Sequence, residues 1–157
     1  MHIGVNDFQI ANSPLSGRAE QDLVTVYTAR PDVGLPGVAI CRLAAPLYYA
    51  NAEFFMNQVL SFYRDAPSTL RWFILQFDCI SDVDYVAAKM LVELADRMGR
   101  EQVALVFANL STKVEDFLSD CGVLEVVGSD KVFVSIDKAL AAFEYLTHKH
   151  PIGARMS

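Results

Sequence analysis

The sequence predicts an α/β domain in which about four helices pack mainly against one face of a four- to five-stranded, mostly parallel or mixed sheet. Three observations carry this. Apolar runs of strand length alternate along the chain with segments whose apolar residues recur every three or four positions. Strands separated by helices become parallel neighbours through right-handed crossovers. The chain has 157 residues, a length that suits one domain able to bury roughly 70% of its unfolded surface.

The first 22 residues are polar, with Asn-Ser-Pro at 12–14 and Ser-Gly at 16–17, and read as a lead-in or linker. The domain is expected over 23–150, with a short tail over 151–157. An edge strand is predicted at 23–27, before a segment rich in Pro and Gly that ends at Gly37. Residues 38–43 form the first clear strand. Asn51 is expected to cap a helix over 52–64, whose apolar face is Phe55, Val59 and Phe62 and which Pro67 ends. Residues 72–77 are almost continuously apolar and rich in β-favouring types, the mark of a central strand covered on both faces. Asp84 caps the next helix, with Ala87, Met90 or Leu91, Leu94 and Met98 at helical spacing and Gly99 as its stop. A buried strand follows at 103–107. Thr112 and Glu115 fit a capping box for a helix that turns Val114, Phe117, Leu118 and Cys121 to the core. The last strand is expected at 132–136. Asp137 then opens a final helix with Ile136, Leu140, Phe143 and Thr147 or Leu146 inward.

Charge and composition remove several functions. The net charge of -6 argues against nucleic acid, whose binding rests on basic side chains that displace counterions. The three cysteines are far apart, lie in apolar contexts and read as small buried hydrophobes of a reducing compartment. The first residues have neither a basic stretch nor a long apolar one, so no secretory signal is expected there. The window 33–52 has a membrane-span length with Arg42 as its only charge. Its Gly and Pro residues and the central arginine make it loop, strand, turn and helix start instead. Any membrane-embedded part is expected outside this chain.

The densest set of functional groups is the loop Asp78-Cys79-Ile80-Ser81-Asp82-Val83-Asp84. Acids beyond the carboxyl end of a strand could hold Mg²⁺ or accept a phosphoryl group. The simpler reading has Asp84 capping a helix, Asp78 tying down a turn and Asp82 solvated. A receiver-like site also wants a lysine after a later strand, where Ala108 and Asn109 stand. His2, His148 and His150 lie at the chain ends without a nucleophile or carboxylate arrangement, and no P-loop, dinucleotide, nucleophile-elbow or zincin motif occurs. No catalytic residue, metal or cofactor is assigned. Residues from Pro46 to Phe55 are expected mostly in the core, with one of Tyr48 and Tyr49 exposed.

An arginine-bearing strand followed by Ala-Pro-Leu-Tyr-Tyr-Ala-Asn-Ala-Glu-Phe-Phe resembles the start of the cytoplasmic STAS domain of SulP-type anion transporters (STAS: sulfate transporter and anti-sigma factor antagonist). The likeness covers 37–149, and Pro46 to Ala52 is its strongest part. It implies a non-catalytic regulatory and interaction module at the inner face of a membrane, docking to the membrane region of its own transporter or to a cytosolic protein. It is compatible with weak binding of a small nucleotide and with a homodimer. The alternative is a free-standing, anti-sigma factor antagonist-like partner-switching protein. Such antagonists carry an Asp-Ser-Ser-Gly-like motif at the start of the second helix, where a kinase modifies a hydroxyl. Here the run is Asp84-Tyr85-Val86-Ala87. Of that motif only the aspartate is retained, and Val86 cannot accept a phosphate. Asp78, Ser81, Asp84, Tyr85 and Val86 are the equivalents of the family phospho-loop. A phosphate there would add negative charge beside three acids, and Ser81 reads as a solvated loop serine. The partner surface is expected at Asp82, Asp84, Tyr85, Val86 and Ala87, where an aromatic side chain meets a positively polarised helix N-terminus.

Overall fold

Alternation of side chains along the strands decides how the layers stack. The computed structural model describes residues 24–28, 37–43, 45–64 and 70–149. The expected lead-in over 1–22, the tail over 151–157, Leu23, Pro67, His2 and His150 lie outside them, as does the side chain of Phe62. The elements are β1 (Val24–Thr28), β2 (Val38–Leu43), α1 (Tyr49–Arg64), β3 (Trp72–Gln76), α2 (Tyr85–Arg100), β4 (Ala104–Ala108), α3 (Thr112–Asp120), α4 (Val123–Val127), β5 (Val132–Phe133) and α5 (Ile136–Lys149). The sheet runs in the order β1-β2-β3-β4-β5. β1 is antiparallel to β2, and the other neighbours are parallel. The expected mixed sheet is present, with β3 at its centre.

Ile40, Ile74 and Val106 stand in one cross-strand row, and Cys41, Leu75 and Phe107 in the next. Because successive residues face opposite sides, the two rows enter different cores. The larger core joins Cys41, Phe73, Leu75, Phe77 and Phe107 to Phe55, Val59, Leu91, Leu94 and Leu118 from α1, α2 and α3. The smaller joins Ile40, Trp72, Ile74 and Val106 to Ala139, Leu140 and Phe143 of α5. Trp72 and Phe143 meet edge to face at 5.1 Å. Four helices therefore cover one face and α5 the other.

Several helix ends differ from expectation, for local reasons. The cap of α3 is Ser111, whose Oγ accepts from the Val114 amide at 3.2 Å, leaving Thr112 as the first helical residue. Ser135 caps α5 in the same way, accepting from Lys138 at 3.1 Å, so the last strand stops at Phe133 and Ile136 is helical. On α5 it is Leu146 that points outward, 41% exposed. α4 was not anticipated; Gly122, at φ 81°, turns the chain out of α3 and into it. Of the cysteines, Cys41 is buried, which pushes its thiol well above the ordinary value, whereas Cys79 and Cys121 are half-buried.

Gly99 is not the stop of α2. The helix continues to Arg100, and the chain reverses at Gln102, which takes φ 65°. The Gln102 amide donates to Gly99 O and the Val103 amide to Met98 O, both at 2.9 Å, closing a Schellman motif with a side chain where glycine is usual. Left-handed backbone costs a non-glycine residue about 1 kcal/mol. Gln102→Gly should therefore raise stability by about 0.5–1 kcal/mol, read as a higher urea midpoint at unchanged slope.

Candidate functional site

Two loops on the carboxyl side of the sheet, 45–48 after β2 and 77–84 after β3, are laced together. The Leu47 amide donates to Asp82 O at 2.9 Å and the Asp84 amide to Leu47 O at 3.1 Å. This isolated parallel bridge pairs Leu47 with Val83, both buried. Two residues beyond the pair, α1 begins at Tyr49 and α2 at Tyr85, so two helix N-termini lie side by side.

Asp84 serves both of them. Its Oδ1 accepts from the Ala87 amide at 2.9 Å, the expected cap of α2. Its Oδ2 accepts from the Tyr49 amide at 2.8 Å, a free donor at the start of α1. Asn51, expected as the cap of the first helix, lies inside α1. Its Oδ1 reaches back to the Tyr48 amide at 2.9 Å and its Nδ2 donates to Pro46 O at 2.8 Å, the backward half of a capping box. The helix starts three residues early because the Asp84 carboxylate supplies the acceptor from another loop.

The other two acids also differ from expectation. Asp82 is not simply solvated. It accepts from the Tyr48 hydroxyl at 3.1 Å and from the Val83 amide at 3.0 Å, and lies 3.7 Å from Lys113 Nζ of α3. The hydrogen bond to Asp82 holds the Tyr48 phenol above its usual range, because ionisation would lose the bond and set two anions together. Asp78 reaches across to Arg42 rather than tying down its own turn, with Oδ1 3.5 Å from Nε. The same guanidinium donates from Nη2 to Cys79 Sγ at 2.8 Å. The three carboxylates thus diverge. Among the described residues no group of three or more His, Cys, Asp or Glu side chains is arranged to hold a metal ion.

Burial separates the predicted partner residues. Tyr85 is 61% and Val86 53% exposed, and Ser81 is exposed, but Ala87 is fully buried under α1 and the sheet. Ala87 therefore positions the surface without touching a partner, because the helix turns its side chain into the core. Asp84 is committed to two amides. Sequence reasoning expected one of Tyr48 and Tyr49 exposed but did not place either in the partner surface; Tyr49 is 70% exposed and Tyr48 partly so, and both face solvent. A usable signal was present: Leu47 and Val83 each stand two residues before a tyrosine that opens a helix. The outcome is an outward patch of Tyr48, Tyr49, Tyr85 and Val86 over a rigid, hydrogen-bonded base. The strand order has no reversal along β1 to β5, and it is at such reversals that open α/β sheets form a ligand crevice.

Comparison with known proteins places this geometry. The family model described as the STAS domain matches residues 31–139. A probable sulfate transporter of Mycobacterium tuberculosis is 28% identical over 109 residues, covering 69% of this chain and 20% of the relative. Probable sulfate transporter 3.5 of Arabidopsis thaliana is 25% identical, covering 69% of this chain and 17% of the relative. The chain thus spans about a fifth of the length of these curated relatives. Among solved structures, the murine Solute Carrier 26 family member A9 anion transporter in its inward-facing state is 30% identical with a TM-score of 0.63, over 69% of this chain and 18% of that one. A sulfate transporter family protein of Wolinella succinogenes is 26% identical at TM-score 0.63, over 72% of this chain and 89% of that one. A putative anti-sigma factor antagonist of Thermotoga maritima, 18% identical at TM-score 0.60 over 69% of this chain and 88% of that one, shares the fold. No helix among the described residues is long and apolar enough to cross a membrane. With the family model matching residues 31–139, more than half of its length, the chain belongs to the STAS domain family.

Proposed function

We propose that this chain is the cytosolic regulatory module of a SulP-type anion transporter, non-catalytic, held at the inner face of the membrane and acting by docking to the membrane region of its transporter or to a regulatory protein. The observation that carries the reading is the pair Tyr85 and Val86. Where the free-standing antagonists of this family are expected to present serine hydroxyls for a kinase, this chain presents an exposed aromatic ring, Tyr85, and an exposed aliphatic side chain, Val86, at the start of α2. Exposed aromatic residues on a rigid base lose little entropy on binding and are favoured at interface centres. The acids beside them are consumed by amides, a phenol and a lysine, which supports a structural role for Asp82 and Asp84. The contact residues are then Tyr85, Val86 and Tyr49, with Asp82 holding Tyr48 and Lys113 at the rim.

Binding of the whole chain to the detergent-solubilised membrane region of a SulP transporter from the same genome tests this. Tyr85→Ala is expected to weaken it about tenfold and Asp82→Ala about threefold, with circular dichroism unchanged. Unchanged affinity in both variants would move the docking surface elsewhere.

A further inference from the structure

Beside the docking patch, α2 and the end of α3 enclose a groove lined by Tyr85, Ala88, Lys89, Val92 and Cys121, with a volume of about 150 Å³. A cavity of that size accepts a benzene-sized group. Tyr85, Lys89 and Val92 sit at i, i+4 and i+7 of α2 and so form one stripe, while the small side chains of Ala88 and Cys121 leave depth beneath it. Lys89 sets the electrostatics. Its Nζ lies 5.6 Å from the centre of the Tyr85 ring, and it has no carboxylate partner among the described residues. The groove therefore combines an apolar floor, an aromatic wall and, at the lip, one cation that forms no ion pair among the described residues.

We propose that this groove receives a single apolar side chain of an acidic protein segment, whose neighbouring carboxylate pairs with Lys89. The inference rests on the docking reading and names the chemistry of the partner. An anion adjacent to Lys89 gains an ion pair at a site partly shielded by Tyr85, whereas a basic segment meets repulsion there. Anionic lipid is the poorer fit, because a membrane surface attracts clusters of basic residues rather than one, and the net charge of -6 opposes a broad anionic surface more than a single carboxylate placed at Lys89. The groove is also sized for one side chain, not for a broad interface.

Three synthetic helical peptides with one identical leucine stripe, flanked by Glu, Gln or Lys, would be titrated into the isotope-labelled full chain and followed by amide chemical shifts. The Glu peptide should shift Tyr85, Ala88, Lys89, Val92 and Cys121 and bind about fivefold tighter than the Gln peptide, with the Lys peptide weakest. Lys89→Glu should reverse that order. Val92→Trp, which fills the groove from a half-buried position, should abolish the shifts for all three while the circular dichroism stays native. Equal binding of the three peptides, shifts centred elsewhere, or an order indifferent to Lys89→Glu would overturn the proposal. Binding to phosphatidylserine vesicles that depends on Lys89 would overturn it in favour of lipid. Loss of membrane-region docking in Tyr85→Ala, alongside peptides that do not discriminate, would sink the groove and leave the docking role standing.

Discussion

Phe107→Ala is expected to cost about 4 kcal/mol, which is a large share of the roughly 5–15 kcal/mol that holds a domain of this size folded. Phe107 is fully buried on β4 and faces the larger core. Its ring meets Phe77 edge to face at 4.9 Å, with the planes 65° apart, a geometry that adds to area burial. Its row neighbours Leu75 and Cys41 are themselves buried, so β-sheet backbone on one side and helices on the other limit collapse into the space left. The variant should show a lower urea midpoint at an unchanged slope. Phe107→Leu should cost about 1–1.5 kcal/mol, because most of the volume remains. Tyr49→Ala, at a 70% exposed site, should stay within about 0.5 kcal/mol of the parent. A loss below about 1 kcal/mol for Phe107→Ala would contradict the assignment of β4 to the centre of the larger core.

The elements were legible because each rests on a pattern that tertiary structure did not need to override. The run at 72–77 is apolar on both faces, and both faces are covered. Ala87, Leu91, Leu94 and Met98 recur at helical spacing, and all four are buried. The ends of elements were less legible, since caps compete locally and are also supplied from a distance. Ser111 precedes Thr112 and takes the amide that a capping box centred on Thr112 would have used. Gln102 accepts a left-handed backbone that composition assigns to Gly99, because two hydrogen bonds and the entry into β4 at Ala104 hold it there. The site shows the same division. Asp84 was legible as a cap, since an aspartate before an apolar helical stripe has one common use. Its second acceptor, Asp82 on Tyr48, and Asp78 on Arg42 join residues between 34 and 36 positions apart, and no local pattern encodes such pairs. In the sequence, the resemblance to the STAS family is strongest at Pro46 to Ala52, and in the structure that segment is laced through Leu47 to Asp82 and Asp84.

The Asp84 carboxylate beside that lacing gives the second large effect. Asp84→Ala should destabilise the chain by about 2–3 kcal/mol, whereas Ser111→Ala should cost about 1 kcal/mol, because Ser111 caps one helix and Asp84 caps two. A lone N-cap loss leaves one amide to be rehydrated. Here the Tyr49 amide, at an exposed site, and the Ala87 amide, at a half-buried one, lose their acceptor together, so two donors rather than one are left to be rehydrated. Asp84→Asn distinguishes the two roles. One amide oxygen can still cap Ala87, while the NH₂ group turned toward the Tyr49 amide sets donor against donor. About half of the loss should return. Hydrogen exchange should report the coupling directly: in Asp84→Ala the Tyr49 and Ala87 amides lose protection to a similar extent, and in Asp84→Asn the Tyr49 amide alone does. Should Asp84→Ala cost no more than Ser111→Ala, the carboxylate would not couple α1 to α2, and the backbone bridge of Leu47 to Asp82 and Asp84 alone would hold Tyr49 and Tyr85 as one surface.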